Sequence, residues 1–161
     1  IGSYFEEEAD LMITSVLPTY SRAPMTFVKG EGAWLITDDN RRFLDMGAGI
    51  AVNALGHANP KLVQALTDQA GALWHTSNLY HIPAQQKLAD LLVENAPGNL
   101  DRVYLVSGGL EATEAAIKLT RQYFVEKGEP ARGHVIARKQ SYHGNTLGAL
   151  SAGGNEWRRG Q

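Results

Sequence analysis

The sequence predicts an α/β fold, a mostly parallel sheet with flanking helices, behind a smaller N-terminal α+β segment. Three features lead to that expectation. From residue 60 onward, stretches with helical apolar periodicity alternate with short apolar runs of strand length, the pattern of strand–helix–strand units. A glycine pair, Gly108-Gly109, stands between one such run and a long helical stretch. Residues 27–44 instead carry short apolar pieces separated by Gly30-Glu31-Gly32 and Asp38-Asp39-Asn40, which reads as a meander.

In chain order, residues 6–13 form an acidic-then-apolar segment of helical character, and residues 18–24, bounded by prolines, are extended. Strands are expected at 27–29 and 34–37, with turn chemistry at residues 38–40 before Arg42-Phe43-Leu44. Gly47-Ala48-Gly49 and the run from Leu55 to Asn59 are irregular. Pro60 then opens a helix over 61–72, with Leu62, Val63, Leu66 and Ala70 as its apolar stripe. A second helix fits 83–94 with Gln85, Leu88, Leu91 and Leu92 on one face, ended by Asn95-Ala96-Pro97-Gly98. Residues 103–106 read as a short buried strand. The helix after the glycine pair places Ala112, Ala115, Ala116, Leu119 and Tyr123 on one face, and Gly128-Glu129-Pro130 closes it. Residues 134–138 read as a further buried strand leading to Tyr142. The expected boundary falls between 58 and 59, with residues 1–58 a small-domain segment and 59–161 the start of a larger, incomplete domain.

Composition narrows the function. At 161 residues, 43% hydrophobic and net charge −2, the chain has an ordinary soluble, globular make-up. It contains no cysteine, which excludes disulfide scaffolding and thiol or cysteine-based zinc chemistry, and no metal site is expected. No apolar run approaches membrane-spanning length, the first residues lack a secretion-signal pattern, and the near-neutral balance offers no basic patch for nucleic acid. The expectation is a cytoplasmic role on small molecules, with neither membrane nor nucleic acid as partner.

The strand, glycine turn and helix start around Ser107-Gly108-Gly109 point backbone N–H groups and the positive end of a helix dipole at one spot, which suits a phosphate. Glycine in such a turn also serves as a plain turn residue. The longer string is more specific. Ser107-Gly-Gly-Leu-Glu-Ala-Thr-Glu-Ala-Ala-Ile-Lys-Leu119, followed by Tyr142-His-Gly-Asn-Thr-Leu-Gly-Ala-Leu-Ser151, resembles the class III (omega) aminotransferases, fold-type I enzymes that use pyridoxal 5'-phosphate. Leu17-Pro-Thr-Tyr20, Val28-Lys-Gly-Glu-Gly-Ala-Trp34, Phe43-Leu-Asp45, Gly49-Ile-Ala-Val-Asn-Ala-Leu-Gly-His57 and Thr76-Ser-Asn-Leu-Tyr80 are similar to landmarks of the acetylornithine and ornithine branch. The resemblance covers roughly residues 11–159, in the family's order and spacing.

The resemblance implies a cofactor cradle in which Gly108, Gly109 and the N–H of Leu110 hold the phosphate, Tyr142 stacks on the pyridine ring, and His143 positions the segment. Leu110 stands where the family usually has serine or threonine, so one hydroxyl contact is missing unless the backbone alone serves the anion. It also implies that Tyr20, Arg22, Asn78, Tyr80 and Asn145 line the substrate site. Asn145 replaces an arginine that acetylornithine-type enzymes use as a carboxylate clamp, and the second half of the chain looks more like the omega-amino acid:pyruvate branch. In the family a Schiff-base lysine and an aspartate for the pyridine nitrogen lie downstream of the Tyr-His-Gly block, and no catalytic residue is expected within these 161 residues.

The chain is therefore expected to be the N-terminal portion of an aminotransferase that moves an amino group from an amine or omega-amino acid to a 2-oxo acid. A homodimer is implied, because the family shares its sites between subunits. Glu111 and Glu114 read as dipole-favoured carboxylates in the first turns of the helix, Glu114 reaching Lys118 at i, i+4, or else ordering the cofactor loop. Two other classes compete. One is a non-catalytic remnant or dimerisation module, whose cut sheet would expose apolar surface. The other is a nucleotide-binding α/β domain, which requires an acidic residue at a strand end about twenty residues beyond the glycines. Glu126 and Glu129 lie near that distance, but at a helix end and in a turn.

Overall fold

The computed structural model describes residues 15–17 and 19–160. The helical segment expected at 6–13 and Pro18, the first residue of the extended stretch, lie outside the described residues. Contacts group the chain into two compact units, one reaching to Tyr80 and the other beginning at His81.

The first unit is built on an antiparallel meander, β1 (Phe27–Glu31), β2 (Trp34–Thr37) and β3 (Arg42–Leu44), in the order β1-β2-β3. Its hairpins follow from local chemistry. Glu31 pairs with Trp34, so Gly32 and Ala33 alone make the first turn, and Gly32 takes the φ of +57° that the loop requires. The second turn closes around Thr37, whose side chain is buried at 1% exposure. Thr37 Oγ1 accepts the N–H of Arg41 at 3.0 Å and donates to Asp39, while Thr37 N–H donates to Arg41 O at 3.0 Å. One face pairs Phe27 with Phe43 edge-on at 5.7 Å, and Arg42 lies over Trp34 at 4.8 Å. The register shifts between Phe27 and Lys29, an irregularity that leaves Val28 out of the pairing.

After β3 the chain makes one irregular turn, α1 (Ala48–Ala51), broken inside by non-helical Gly49 and Ile50. It returns to the meander at His57, which exchanges both backbone hydrogen bonds with Gly32 at 2.9 and 2.7 Å. Helix α2 (Pro60–Ala72) starts as expected, with proline in its first turn and Asn59 Oδ1 accepting the N–H of Lys61 at 3.0 Å.

The second unit holds α3 (Pro83–Asn95), α4 (Gly109–Glu126), α5 (Leu147–Ala152) and α6 (Glu156–Arg159). Helices α3 and α4 match their expected spans, whereas α5 and α6 were not anticipated. Both short helices carry side-chain caps: Thr146 accepts from Ala149 N–H at 3.2 Å, and Asn155 accepts from Arg158 N–H at 3.3 Å.

Two expectations need correction. Residues 103–106 and 134–138 form no strand, because neither segment has a ladder partner among the described residues, and an apolar run without one is not held as a sheet. Tyr104 is 79% and Ile136 98% exposed, so these runs are not buried either. The face of α4 that meets another element is also not the alanine stripe. Leu119 and Tyr123 are exposed, while Leu110, Thr113, Glu114 and Ile117, spaced i, i+3, i+4 and i+7, form a less exposed line on the helix. Helix α4 packs on α5, where Ala149 is fully buried. The stripes of α2 and α3 remain open, with Leu66 74% and Leu88 48% exposed.

Candidate functional site

The second unit brings together six of the residues singled out by sequence: Gly108, Gly109, Leu110, Tyr142, His143 and Asn145. Gly108 is the extended residue before α4, and the first donor of the helix to find its acceptor is Ala112, whose N–H reaches Gly108 O at 3.1 Å. The N–H groups of Gly109, Leu110 and Glu111 have no acceptor among the described residues. Open donors at a helix start are what an anion uses. A Cβ on Gly109 would enter open space, whereas one on Gly108 would stand 2.9 Å from Glu111 Oε2, so position 108 takes only glycine unless that carboxylate moves.

The stretch from Tyr142 to Ala149 is fastened to the first turns of this helix at three points. Gly144 sits at φ +133°, and a side chain there would meet Leu110 Cβ at 2.7 Å and Leu110 Cα at 3.1 Å. Leu110 thus packs against the loop backbone, while its own N–H stays open. Thr113 Oγ1 donates to His143 O at 2.9 Å. Glu114 Oε1 accepts from the Thr146 hydroxyl and, at 3.1 Å, from Ala149 N–H. The hydrogen bond from Thr146, reinforced by backbone N–H groups of Ala149 and Gly148, holds the Glu114 carboxyl below the ordinary glutamate range against a smaller opposing effect of burial.

That geometry corrects the expected Glu114–Lys118 pair. The carboxylate turns to the α5 cap, and Lys118 is left as the smallest influence on it. Thr113, Thr146 and Ala149 were therefore missed as parts of the site, while for Glu114 the sequence offers ordering of the cofactor loop only as the alternative to a plain helix-start carboxylate. Their signal was present in the i, i+3, i+4, i+7 line on α4 and in the threonine that precedes an apolar run at Leu147.

Tyr142 is 60% exposed, with its hydroxyl donating to Asn145 Oδ1 at 3.1 Å and the Arg158 guanidinium 5.3 Å from its ring centroid. His143 is exposed and enters this network through its backbone carbonyl alone. The remaining four, Tyr20, Arg22, Asn78 and Tyr80, belong to the first unit and are exposed there, Asn78 and Tyr80 in a turn in which Tyr80 N–H reaches Ser77 O at 3.0 Å.

The first unit also holds a cluster that sequence reasoning treated only as a landmark. His57 Nε2 lies 2.7 Å from Asp45 Oδ2, and its Nδ1 lies 3.0 Å from Asn53 Nδ2. With the Asn53 amide donating to Nδ1, the ring proton sits on Nε2 and points at Asp45. The other Asp45 oxygen accepts from Ala48 N–H at 2.8 Å and Gly47 N–H at 3.2 Å. The His57 hydrogen bond, ahead of those backbone donors, depresses the Asp45 carboxyl below its usual range.

A helix start with open N–H groups and an aromatic loop fastened beside it lie in a chain whose sequence shows its family. Residues 17–160 match the family model for class-III aminotransferases, and the chain belongs to that family. It is 54% identical over 145 residues to an acetylornithine aminotransferase of Rhodobacter capsulatus, a match covering 90% of this chain and 36% of the relative. It is 48% identical over 141 residues to an acetylornithine aminotransferase of Mesorhizobium japonicum, covering 88% and 35%. Among solved structures it is similar to an (S)-enantioselective omega-transaminase from Thermomicrobium roseum, with TM-score 0.82 and 33% identity over 89% of this chain and 34% of that one. The fold is thus that of the N-terminal part of a fold-type I transaminase, and the chain spans about a third of the length of the relatives it matches. Among the described residues no helix is long and apolar enough to cross a membrane.

Proposed function

We propose that this segment is the N-terminal portion of a pyridoxal 5'-phosphate-dependent aminotransferase that transfers an amino group from an amine or omega-amino acid to a 2-oxo acid. The observation that carries the reading is the fastening of the Tyr142–Asn145 loop, through Thr113 and Glu114, beside the open N–H groups at the start of α4, on a chain of class-III aminotransferase sequence. These residues fit the cofactor. The free donors of Gly109 and Leu110 suit its phosphate, Gly109 leaves the space beside them open, and the exposed ring of Tyr142 suits stacking on its pyridine.

When bound, pyridoxal phosphate supplies an electron sink for the bonds at the amino-bearing carbon. This chain's residues bind and orient. Gly108 to Leu110 would hold the phosphate, Tyr142 would stack on the ring with the backbone of His143 positioning that loop, Asn145 would contact the substrate, and Tyr20, Arg22, Asn78 and Tyr80 of the first unit would serve as substrate contacts of the intact protein. Residues 1–58 form part of the small domain and 59–161 begin the cofactor domain, in a protein that works in the cytoplasm as a homodimer. The Schiff-base lysine and the aspartate lie outside this segment.

A second reading of the donor has support of its own. The curated relatives are named acetylornithine aminotransferases, while Asn145, whose Oδ1 is engaged by Tyr142, stands where the resemblance places an arginine clamp. The test is amino transfer to pyruvate and, separately, to 2-oxoglutarate by the intact protein that carries this segment, with N-acetylornithine, an omega-amino acid and a simple amine as rival donors. Faster turnover of the last two supports the proposal. A clear preference for N-acetylornithine keeps the aminotransferase and replaces its donor class, and no transfer from any donor refutes the function.

A further inference from the structure

We infer that Glu114 is a positioning residue for the cofactor: its carboxylate locks the loop that carries Tyr142 to the helix whose first N–H groups face the phosphate. The inference rests on the proposed function and deepens it, because it concerns how the two halves of the cradle keep their spacing. Phosphate-binding N–H groups on α4 and a stacking ring on a loop some thirty residues later act together only if their separation is fixed.

Glu114 is placed to fix it. One oxygen receives the Thr146 hydroxyl and Ala149 N–H, the capping residue and the third residue of α5, so one side chain satisfies the start of the next helix from across the gap. Thr146 Oγ1 accepts the Ala149 N–H at 3.2 Å as a helix cap does, and Glu114 shares that donor while taking the Thr146 hydroxyl proton. The glutamate of α4 thereby joins the cap of α5, and the cap becomes a tether between elements. Thr113 to His143 O and Leu110 against Gly144 brace the same junction from the adjoining positions on the helix. All of the Glu114 partners named here are donors, so an ionised carboxylate serves them and a hydrocarbon cannot.

A mere stability role and a positioning role separate in the cofactor's own signals. In the intact protein, Glu114→Ala and Thr146→Val should each raise the apparent dissociation constant for pyridoxal phosphate on the order of tenfold, as expected for loss of charge-assisted hydrogen bonds. They should also weaken the visible circular dichroism per bound cofactor, which reports a fixed ring. Glu114→Gln, retaining one acceptor, should fall between, and Thr146→Ser should restore both readouts. Should Glu114→Ala fail to accumulate as soluble protein, the Thr146→Val and Thr146→Ser pair decides. Variants that lose thermal stability but keep the dissociation constant and the dichroism overturn the inference. Unmutated protein that binds no pyridoxal phosphate overturns the function beneath it, a different and distinguishable failure.

Discussion

Gly30→Ala is expected to loosen the N-terminal meander through a collision with one ring. A Cβ on Gly30 would lie 2.4 Å from His57 Cγ, 2.6 Å from its Cβ and 2.7 Å from its Nδ1, inside any real contact distance. The ring cannot easily retreat. Asp45 holds it at 2.7 Å, Asn53 at 3.0 Å, and the His57 backbone is paired both ways with Gly32. Overpacking of this kind costs about 1–3 kcal/mol, and the stiffer unfolded chain of alanine returns about 0.4–1 kcal/mol. The net, about 1–2 kcal/mol, corresponds to roughly 5- to 30-fold more frequent local opening. Hydrogen exchange of the Gly32 and His57 amides in the intact protein reads that opening directly. The same substitution in a His57→Ala background should change exchange by less than about twofold, because the obstacle is gone. Equal acceleration in both backgrounds, or none in the first, would refute the argument.

Two further outcomes follow from the same unit. Thr37→Val keeps the shape of a side chain that is 1% exposed but strands the Arg41 N–H, so it should lower stability by about 1–3 kcal/mol in urea unfolding of the intact protein, while Thr37→Ser should lose much less. The Asp45 carboxyl, depressed chiefly by the His57 hydrogen bond, contributes stability that is complete above the ordinary aspartate value of about 3.9 and is lost as pH falls through its lower folded value. The stability gap between wild type and Asp45→Asn should therefore be full at neutral pH and close in acid. A gap still open below about pH 2 would contradict the assignment.

How far the sequence could be read depended on whether a feature is local. Pro60 and Pro83 fix helix starts through their own rings, and Gly32 and the 38–40 turn fix hairpins within a few residues, so those elements stood where expected. Residues 103–106 and 134–138 carry strand-like composition, yet a strand exists through its neighbour, and no neighbour is among the described residues. The cradle divides in the same way. Gly108-Gly109 and Tyr142-His143 each stand in a contiguous motif, which is what let the sequence propose them. The Glu114–Thr146 tether joins residues 32 apart in sequence, and its natural local reading was an i, i+4 pair with Lys118 that the fold does not make. The His57 cluster escaped for a similar reason, since Asp45 and His57 are brought together only by the return of the chain to Gly32.

The central claim is that this segment belongs to a working pyridoxal-phosphate aminotransferase, and the most direct test is the mass of the intact protein from its native source after borohydride reduction. Reduction fixes a cofactor held on lysine as a stable pyridoxyl adduct. The account predicts a chain much heavier than 17.5 kDa with one such adduct on a lysine beyond residue 161. A 17.5 kDa chain without the adduct would contradict it, leaving a cradle of aminotransferase descent that performs no transamination.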